Sequence, residues 1–218
     1  MLDLPATMRA LAQERPIFHS ERDFQFWLGW ILRERCGLRP MIEAPLRIFV
    51  PGAQERVDIV ADTAQGKVAI ELKYLTRELK TNIGGECYRL SNQSAQDMRR
   101  YDILRDMERL EKLTRHGVAA GYMLALSNEP LYWRISRVRR ATNDREFRLH
   151  HGRNISGKMQ WGPHTSAGTK LQREAPIFLC GHYTMHWHPY SMIRGTRAGE
   201  FRYLLVEIRA MNREVAGP

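Results

Sequence analysis

The sequence predicts an α/β fold in which helices flank a mixed central sheet, with a β-rich extension at the C-terminal end. Two observations predict this class: helical and strand-like apolar patterns alternate along residues 20–126, and strand-like patterns dominate the rest of the chain after residue 146. The core order is helix, strand, strand, strand, helix, strand. We expect it to occupy residues 1–130, with residues 131–218 forming a basic connection and β structure packed on it as one globular unit.

The first helix is predicted at residues 20–35, where Phe24, Leu28 and Ile31 belong to an apolar face with helical spacing. Ser20 suits the N-cap, and Gly37 suits a left-handed residue just beyond the helix. This segment therefore carries its own start and stop signals.

Apolar runs bounded by turn residues predict the strands of the core. Three precede the second helix, at residues 46–50, 56–61 and 67–75, and the last two should form a hairpin. The second helix is predicted at residues 93–115, and the apolar run at 118–126 is typical of a strand buried on both faces. Further strand candidates lie at residues 147–150, 159–161, 177–187 and 201–209.

The composition is that of a folded basic protein, with 43% apolar residues and a formal net charge of +10. A positive field of this size attracts phosphate backbones, so nucleic acid is the expected partner; the alternative is a basic protein that is merely soluble. Cys36, Cys87 and Cys180 form no disulfide or zinc pattern. No signal peptide or membrane-spanning run is evident, which favours a cytoplasmic location without a membrane partner.

An acidic pair on the predicted hairpin is the first candidate for chemistry. If the connecting loop has four residues, Asp62 pairs with Lys67, and Asp58 then lies opposite Glu71. Directly opposed Cβ atoms are about 5 Å apart, close enough for two carboxylates to share a cation. Lys73 projects from the same face as Glu71, because side chains alternate along a strand.

Two carboxylates that face each other destabilise a hairpin unless a cation neutralises them. Oxygen ligands favour a hard ion, so the pattern predicts Mg²⁺ or Mn²⁺ between Asp58 and Glu71. The Lys73 ammonium would then orient the attacking water or stabilise the charge that builds on a phosphate.

The triplet Glu71-Leu72-Lys73 has a second copy in the chain. The pattern E-x-K occurs by chance about once in a charged chain of this length, and Glu78-Leu79-Lys80 repeats it. The second triplet has no apolar strand before it and no carboxylate in register. We therefore assign only the first triplet to the site.

Glu21 is a third acidic candidate, because it lies on the buried side of the first helix near its start. In one interpretation it reaches the metal ion, directly or through water. In the other it is a first-turn acid that interacts favourably with the helix dipole.

The apolar face of the second helix becomes polar at its N-terminal end, where Gln93, Gln96 and Arg100 are found. These side chains are candidates for contacting the scissile phosphate or positioning water. The alternative is an ordinary loss of amphipathicity at a helix start.

These features resemble the PD-(D/E)XK nuclease superfamily, whose shared core is the restriction-endonuclease-like fold. The resemblance depends on the order of elements, Asp58, Glu71-Leu72-Lys73, Glu21 and the glutamines of the second helix. It covers residues 18–127, with Val57 in place of the name-giving proline. It implies Mg²⁺-dependent hydrolysis of a phosphodiester. The implied metal ligands are Asp58, Glu71 and the Leu72 carbonyl, and the implied catalytic residue is Lys73.

An arginine-rich stretch at residues 133–153 is a candidate surface for substrate binding. Its arginines are interleaved with aromatic residues, which suits phosphate and base contacts. We assign Arg134, Arg137 and Arg140 to this surface. The alternative is a solvated basic surface.

His182, His186 and His188 would share one face if residues 181–189 formed a single strand, which makes a zinc site conceivable. No cysteine or acid lies at ligand spacing nearby. A histidine-rich edge or interface is therefore the expected arrangement.

The function expected from the sequence is that of a Mg²⁺-dependent endonuclease acting on double-stranded DNA, of restriction, defence or repair type. A homodimer is expected, because cleavage of two strands needs two active sites. Two alternatives stay open: a nucleic-acid-binding module with the same fold and no catalysis, and a nuclease directed at RNA.

Overall fold

A computed structural model describes residues 2–136 and 142–210 of the chain. The helices are α1 (Leu4–Glu14), α2 (Glu21–Cys36), α3 (Gln96–Thr114) and the short α4 (Ala167–Lys170). The strands are β1 (Met41–Pro45), β2 (Arg56–Thr63), β3 (Gly66–Leu75), β4 (Leu79–Ile83), β5 (Glu86–Leu90), β6 (Ala120–Ser127), β7 (Asn154–Met159), β8 (Ile177–Thr184), β9 (Trp187–Met192) and β10 (Glu200–Ile208). Across these described segments, no helix combines the length and the apolar character needed to cross a membrane.

A mixed six-stranded sheet forms the centre of the fold, in the order β1-β2-β3-β6-β10-β9. Its neighbouring strands are antiparallel except β3 and β6, which are parallel and have α3 in the connection between them. The helices α1 and α2 pack on one face of the sheet, and α3 packs on the other. The predicted α/β class, with helices flanking a mixed sheet, is confirmed.

Alternation along β3 decides which side chains face which helix. Ile70, Leu72 and Tyr74 belong to the apolar core that contains α1 and α2, whereas Ala69 and Leu75 belong to the core that contains α3. The residues at positions 71 and 73 share the parity of the second set, so they face α3. The polar half of the triplet therefore lies under a helix.

The first predicted helix is confirmed as α2. Its N-cap, Ser20, accepts a hydrogen bond from the Asp23 amide at 3.2 Å. Gly37 follows the last residue with a φ of 66°, a left-handed conformation that costs glycine little. These two signals fix where the helix begins and ends.

The first of the three predicted strands is wrong. Leu46–Ile48 form one 3-10 turn, in which the Phe49 amide bonds back to the Leu46 carbonyl, and the strand β1 lies just before it. The apolar pattern missed β1 because Met41 and Ile42 are both exposed at the edge of the sheet. Successive exposed residues give no alternation to detect.

A hairpin made of β4 and β5 was not predicted, and it delays the second helix. A hydrogen bond of 2.8 Å from the Gln93 amide to the Thr76 carbonyl closes its base. Ala95 then adopts a positive φ of 63°, and α3 begins at Gln96 instead of residue 93. Gln93 is therefore part of the hairpin connection and not of the helix.

The C-terminal part of the chain completes the central sheet. β10 matches the candidate at residues 201–209 and pairs antiparallel with β6, and β9 forms the edge beyond it. The candidate at 177–187 divides into β8 and the start of β9, and that at 159–161 overlaps only the end of β7. The candidate at 147–150 is wrong, since a 3-10 turn and irregular chain lie there. The central sheet therefore contains strands from both sides of residue 130.

Candidate active site

The strands β2 and β3 place Asp58 and Glu71 side by side. Asp62 pairs with Lys67, as predicted, and the same register continues to Ile59 and Ile70, the pair next to the two acids. Asp58 Oδ2 accepts a hydrogen bond from the Leu72 amide at 2.6 Å. The carboxyl groups of Asp58 and Glu71 also interact directly, since each changes the pKa of the other.

Glu21, the first residue of α2, reaches the same place. Its Oε2 accepts a hydrogen bond of 2.7 Å from the Tyr74 amide, which is the next residue after Lys73. Withdrawal of the carboxylate from water raises the pKa of Glu21, and the Lys73 charge lowers it by less. The structure thus brings the predicted third acid to the acidic pair.

The Lys73 ammonium lies among these acids. Its Nζ donates to the Leu72 carbonyl at 3.1 Å and lies 2.6 Å from Asp106 Oδ2. The second contact is an ion pair without hydrogen-bond geometry, because Asp106 Oδ2 has no hydrogen-bond partner among the described residues. Burial lowers the pKa of Lys73, but the charges of Asp106 and Glu21 help to raise it by more. The side chain therefore stays protonated near neutral pH.

The helix α3 supplies two residues of the site that sequence reasoning missed. Asp106 is buried, and Arg109 Nη2 lies 3.0 Å from its Oδ1 and 2.7 Å from Glu71 Oε1. A signal was available, because Asp106 is three residues from Ile103 and four from Leu110, on the apolar face of the helix. A charged residue on such a face is unusual unless it is paired.

Gln25 was also missed, and it connects the helix to the strand. Its buried side chain donates through Nε2 to the Asp58 carbonyl at 2.8 Å and to Glu43 Oε1 at 3.2 Å. The same helix carries Glu21 at its first residue. Gln25 therefore holds the strand that carries one acid against the helix that carries another.

The charges at this site do not balance. When the four carboxyl groups of Glu21, Asp58, Glu71 and Asp106 are all ionised, they exceed the two cations Lys73 and Arg109 by two negative charges. Burial is the largest cause that raises the pKa of Glu21, Asp58 and Glu71, most strongly for Glu71. A set of oxygen donors with this surplus suits Mg²⁺ or Mn²⁺ in charge and in chemistry.

The side chains do not enclose an ion in their present positions. In the described part of the chain, no three His, Cys, Asp or Glu residues have the arrangement of a metal site. Arg109 is bonded to Glu71, and Lys73 to the Leu72 carbonyl, so two of the implied ligands carry internal cations. An ion that used both ligands would replace these two contacts.

A cleft of about 460 Å³ opens beside the acids. It is lined by Glu21, Lys73 and Asp106 and by four arginines, Arg99, Arg105, Arg109 and Arg173. Arg99 and Arg105 have no ion pair with the described chain, whereas Arg173 is held by Asp102 at 2.8 Å. Unpaired guanidinium groups beside clustered acids suit a phosphate substrate.

The three residues predicted at the start of the second helix are placed differently. Gln93 lines the cleft, although it precedes α3. Gln96 is half-buried and is not among the residues that line the cleft. Arg100 turns away from it: the residue is 3% exposed and donates to Asp144 Oδ2 at 2.7 Å and to the Leu131 carbonyl at 2.8 Å. The predicted substrate contact by Arg100 is thus corrected to an ion pair in the core.

The arginine-rich stretch is divided between surface and structure. Arg134 is exposed, and Arg137 and Arg140 lie outside the described residues. Arg148 pairs with Asp144 at 3.0 Å, and Arg153 donates to two backbone carbonyls at 2.8 Å. Arg148 and Arg153 therefore have structural contacts, and we do not assign them to substrate binding.

The three histidines predicted to share a strand do not do so, because β8 ends and β9 begins between His182 and His188. His186 lies against His151, with ring centroids 5.8 Å apart, and His188 stacks on Tyr203 at 5.1 Å. Within residues 2–136 and 142–210, they join no group with the arrangement of a metal site. His186 and His188 lie with His151 near the edge strand β9, whereas His182 is on β8, in a separate two-stranded sheet.

Comparison with known proteins adds no relative. No protein family, no curated protein and no solved structure matches the chain. The class of protein is therefore inferred from the placement of the side chains alone.

Proposed function

We propose that this chain is a divalent-metal-dependent nuclease of the PD-(D/E)XK type, with a restriction-endonuclease-like core, that hydrolyses phosphodiester bonds in double-stranded DNA. The observation that carries the proposal is the meeting of Asp58 and Glu71 on one face of the sheet, with Lys73 beside them. We assign the chain to endonucleases of restriction, defence or repair type.

The residues that would hold the metal ion are Asp58 and Glu71, with the Leu72 carbonyl and Glu21 as further oxygen ligands. A bound Mg²⁺ or Mn²⁺ would activate water and polarise the phosphate. The clustering of acids supports this assignment, because carboxylates that lie close together repel one another unless a cation lies between them.

Lys73 is the proposed catalytic residue. Its pKa is raised, so the group keeps its proton and its positive charge and does not serve as a general base. An ammonium held in a water-poor site stabilises the negative charge that develops on a phosphate oxygen. Asp106 positions this ammonium from 2.6 Å away.

The cleft supplies groups for binding the DNA backbone. Arg99 and Arg105 are exposed and carry no ion pair with the described chain, so their charges are open to phosphates. The net charge of +10 adds a long-range attraction to the same partner. Positioning of the strand and stabilisation of charge would therefore come from neighbouring parts of one surface.

The test measures cleavage of supercoiled plasmid, linear duplex, single-stranded DNA and RNA by the purified chain, with Mg²⁺ or with EDTA. We expect cleavage of DNA in Mg²⁺ and none in EDTA. The substitution Asp58→Asn removes a proposed ligand and should abolish cleavage in Mg²⁺ without loss of the fold.

Asp62→Asn is the matched control. Asp62 lies on the same strand and face as Asp58 but is exposed, and its partner is Lys67 at 2.6 Å. We expect this variant to cleave at the wild-type rate. DNA binding without cleavage in Mg²⁺ or Mn²⁺ would support a non-catalytic binding module, and cleavage of RNA alone would support an RNA-directed nuclease. Either result overturns the proposal.

A further inference from the structure

A solvent-facing stripe of α2 carries two aromatic residues between two arginines. Arg22, Phe26, Trp30 and Arg33 follow one another at spacings of four, four and three residues, so they lie along one side of the helix. Phe26 is 62% exposed and Trp30 is 47% exposed. The large apolar side chains of a helix normally face the core. Two large rings on the exposed side of α2 therefore need another explanation.

The edge strand β1 extends this stripe. Ile42 is 42% exposed, and two adjoining grooves, of about 580 and 400 Å³, both include Phe26 and Ile42 in their walls. We call Phe26, Trp30 and Ile42 the aromatic platform. It is a continuous apolar surface on the outside of the molecule, at one edge of the central sheet.

The charge around the platform is positive. The residues that line the two grooves include four arginines, Arg22, Arg33, Arg39 and Arg56. One acid, Glu43, is among them, and its carboxylate accepts a hydrogen bond from Gln25. The side chains of Arg22, Arg33 and Arg39 form no hydrogen bond or ion pair with the described chain. The walls of the two grooves therefore carry four cations and one anion.

The platform adjoins the candidate active site through one residue. Gln25 lines the smaller groove next to Phe26, and its Nε2 donates to the Asp58 carbonyl at 2.8 Å. Gln25 therefore belongs both to the wall of this groove and to the contacts of the strand that carries Asp58. The arginine-lined cleft includes Glu21, Lys73 and Asp106 of the same site.

We propose that the aromatic platform binds an unpaired stretch of the DNA substrate, whose bases stack on Phe26 and Trp30 while the surrounding arginines hold its phosphates. This inference rests on the proposed nuclease function and names the form of its substrate: DNA with a single-stranded segment beside the scissile phosphate. Stacking on aromatic rings within a positive groove is the general mode by which proteins hold single strands. Duplex DNA buries its base faces and cannot stack in this way.

A second copy of the chain is the main rival occupant, and the charges disfavour it. Two copies that met symmetrically through this surface would bring their arginine rims together, with Glu43 already engaged by Gln25. Like charges at a contact oppose association. A polyanion with apolar faces matches both the charge and the platform.

The test measures the affinity of the full chain for a labelled oligothymidine and for a blunt duplex of equal length, by fluorescence anisotropy in EDTA so that neither is cut. The double variant Phe26→Ala, Trp30→Ala should bind the single strand at least about tenfold more weakly. Its affinity for the duplex should change less than about twofold. Equal losses on both ligands, or no loss on either, would overturn the proposal.

Two controls keep the result specific. Phe178→Ala removes an aromatic ring that is 55% exposed on β8, away from the platform, and should leave both affinities unchanged. Trp30→Phe retains a ring and should keep most of the single-strand affinity that the double variant loses. Far-UV circular dichroism should show every variant folded, since the exchanged rings are exposed. If Trp30→Phe binds the single strand as weakly as the double variant does, the stacking assignment is overturned.

Further outcomes separate this inference from its rivals and from the nuclease proposal. The proposal is overturned if the wild type is a dimer and the double variant is a monomer with unchanged single-strand affinity, because the platform would then serve self-association. Tighter binding of oligouridine than of oligothymidine would also overturn it. If the wild type cuts no substrate but the double variant loses single-strand binding, the nuclease proposal fails and the platform stands.

Discussion

Two E-x-K triplets lie seven residues apart, the first on β3 and the second at the start of β4, and their surroundings differ completely. Glu71 is 1% exposed and is bonded to Arg109, and Lys73 is paired with Asp106. The second triplet begins just before β4, and there Lys80 lies 3.3 Å from Glu78 with both side chains more than half exposed. The same three letters thus form a buried charge cluster in one place and a solvated surface pair in the other. The triplet itself does not distinguish the two places. The difference comes from the pairing of β3 with β2 and from α3, which packs over the first triplet.

The largest expected difference between the two triplets is in catalysis. Glu71→Gln or Lys73→Met should lower the rate of DNA cleavage in Mg²⁺ by at least about 100-fold, because the first removes a proposed metal ligand and the second removes the proposed catalytic ammonium. Glu78→Gln or Lys80→Met should leave the rate within about twofold. Single-turnover rates on one duplex substrate measure this. Similar losses from both triplets would remove the reason for assigning the site to the first.

The next difference concerns stability. Arg109→Met should lower the free energy of unfolding by about 3 kcal/mol, because it leaves the Glu71 carboxyl buried without its cation. Lys80→Met breaks an exposed pair and should cost less than about 0.5 kcal/mol. Urea unfolding of both variants in EDTA gives the two values. A cost for Arg109→Met below that of Lys80→Met would mean that the buried pair contributes nothing to folding.

A third difference lies in the sign of the pH dependence. Burial raises the pKa of Glu71 in the folded chain, so its contribution to stability is fully present below the ordinary glutamate pKa of about 4.3 and is lost as the pH rises toward the folded value. The stability of the wild type relative to Glu71→Gln should therefore fall with rising pH, by at most about 1.4 kcal/mol per pH unit. Urea unfolding in EDTA at a series of pH values measures it.

Glu86 on the β4–β5 hairpin is the opposite case and serves as the control. Hydrogen bonds from Arg15, His19 and Tyr88 lower its pKa to about 2. Its contribution is present above the ordinary glutamate pKa and is lost as the pH falls toward 2, so the wild type should gain stability over Glu86→Gln as the pH rises. Two slopes of the same sign would contradict the placement of Glu71 in a buried cluster.

The smallest expected difference is in the salt dependence of DNA binding. Arg99→Ala removes an open charge from the cleft beside the first triplet, and the slope of log K against log salt should flatten by about one. Arg89→Ala, on the strand that pairs with Lys80, should not change this slope. Filter binding to a duplex at several salt concentrations in EDTA compares them. A larger effect from Arg89 would move the DNA path to the hairpin.

The sequence predicted the pairing at the site because a short loop fixes the register of a hairpin. Counting from Asp62 and Lys67 leads to Asp58 and Glu71, and the structure has this register as far as the adjacent pair, Ile59 with Ile70. Start and stop signals likewise fixed α2 at Ser20 and Gly37. Both inferences depend on interactions within a few residues of one another in the chain, which local patterns encode.

The parts of the site that the sequence did not predict come from distant elements. Gln25 meets Asp58 across 33 positions of chain, and Arg109 meets Glu71 across 38. Arg100 shows the reverse error, since a polar residue at a helix start was assigned to substrate and is instead paired with Asp144 in the core. Periodicity states which face a residue occupies, but not which element covers that face.

The contact between Arg109 and Glu71 has a consequence for how the protein is made. Proteins whose acidic or thiolate ligands have no internal partner often fold only when their ion arrives. Here a guanidinium from α3 already accompanies the most deeply buried carboxylate, so the sheet can assemble on a newly synthesised chain whatever the supply of ions in its surroundings. If the proposed metal ion binds, it would do so after folding, by exchanging one counter-charge of Glu71 for another.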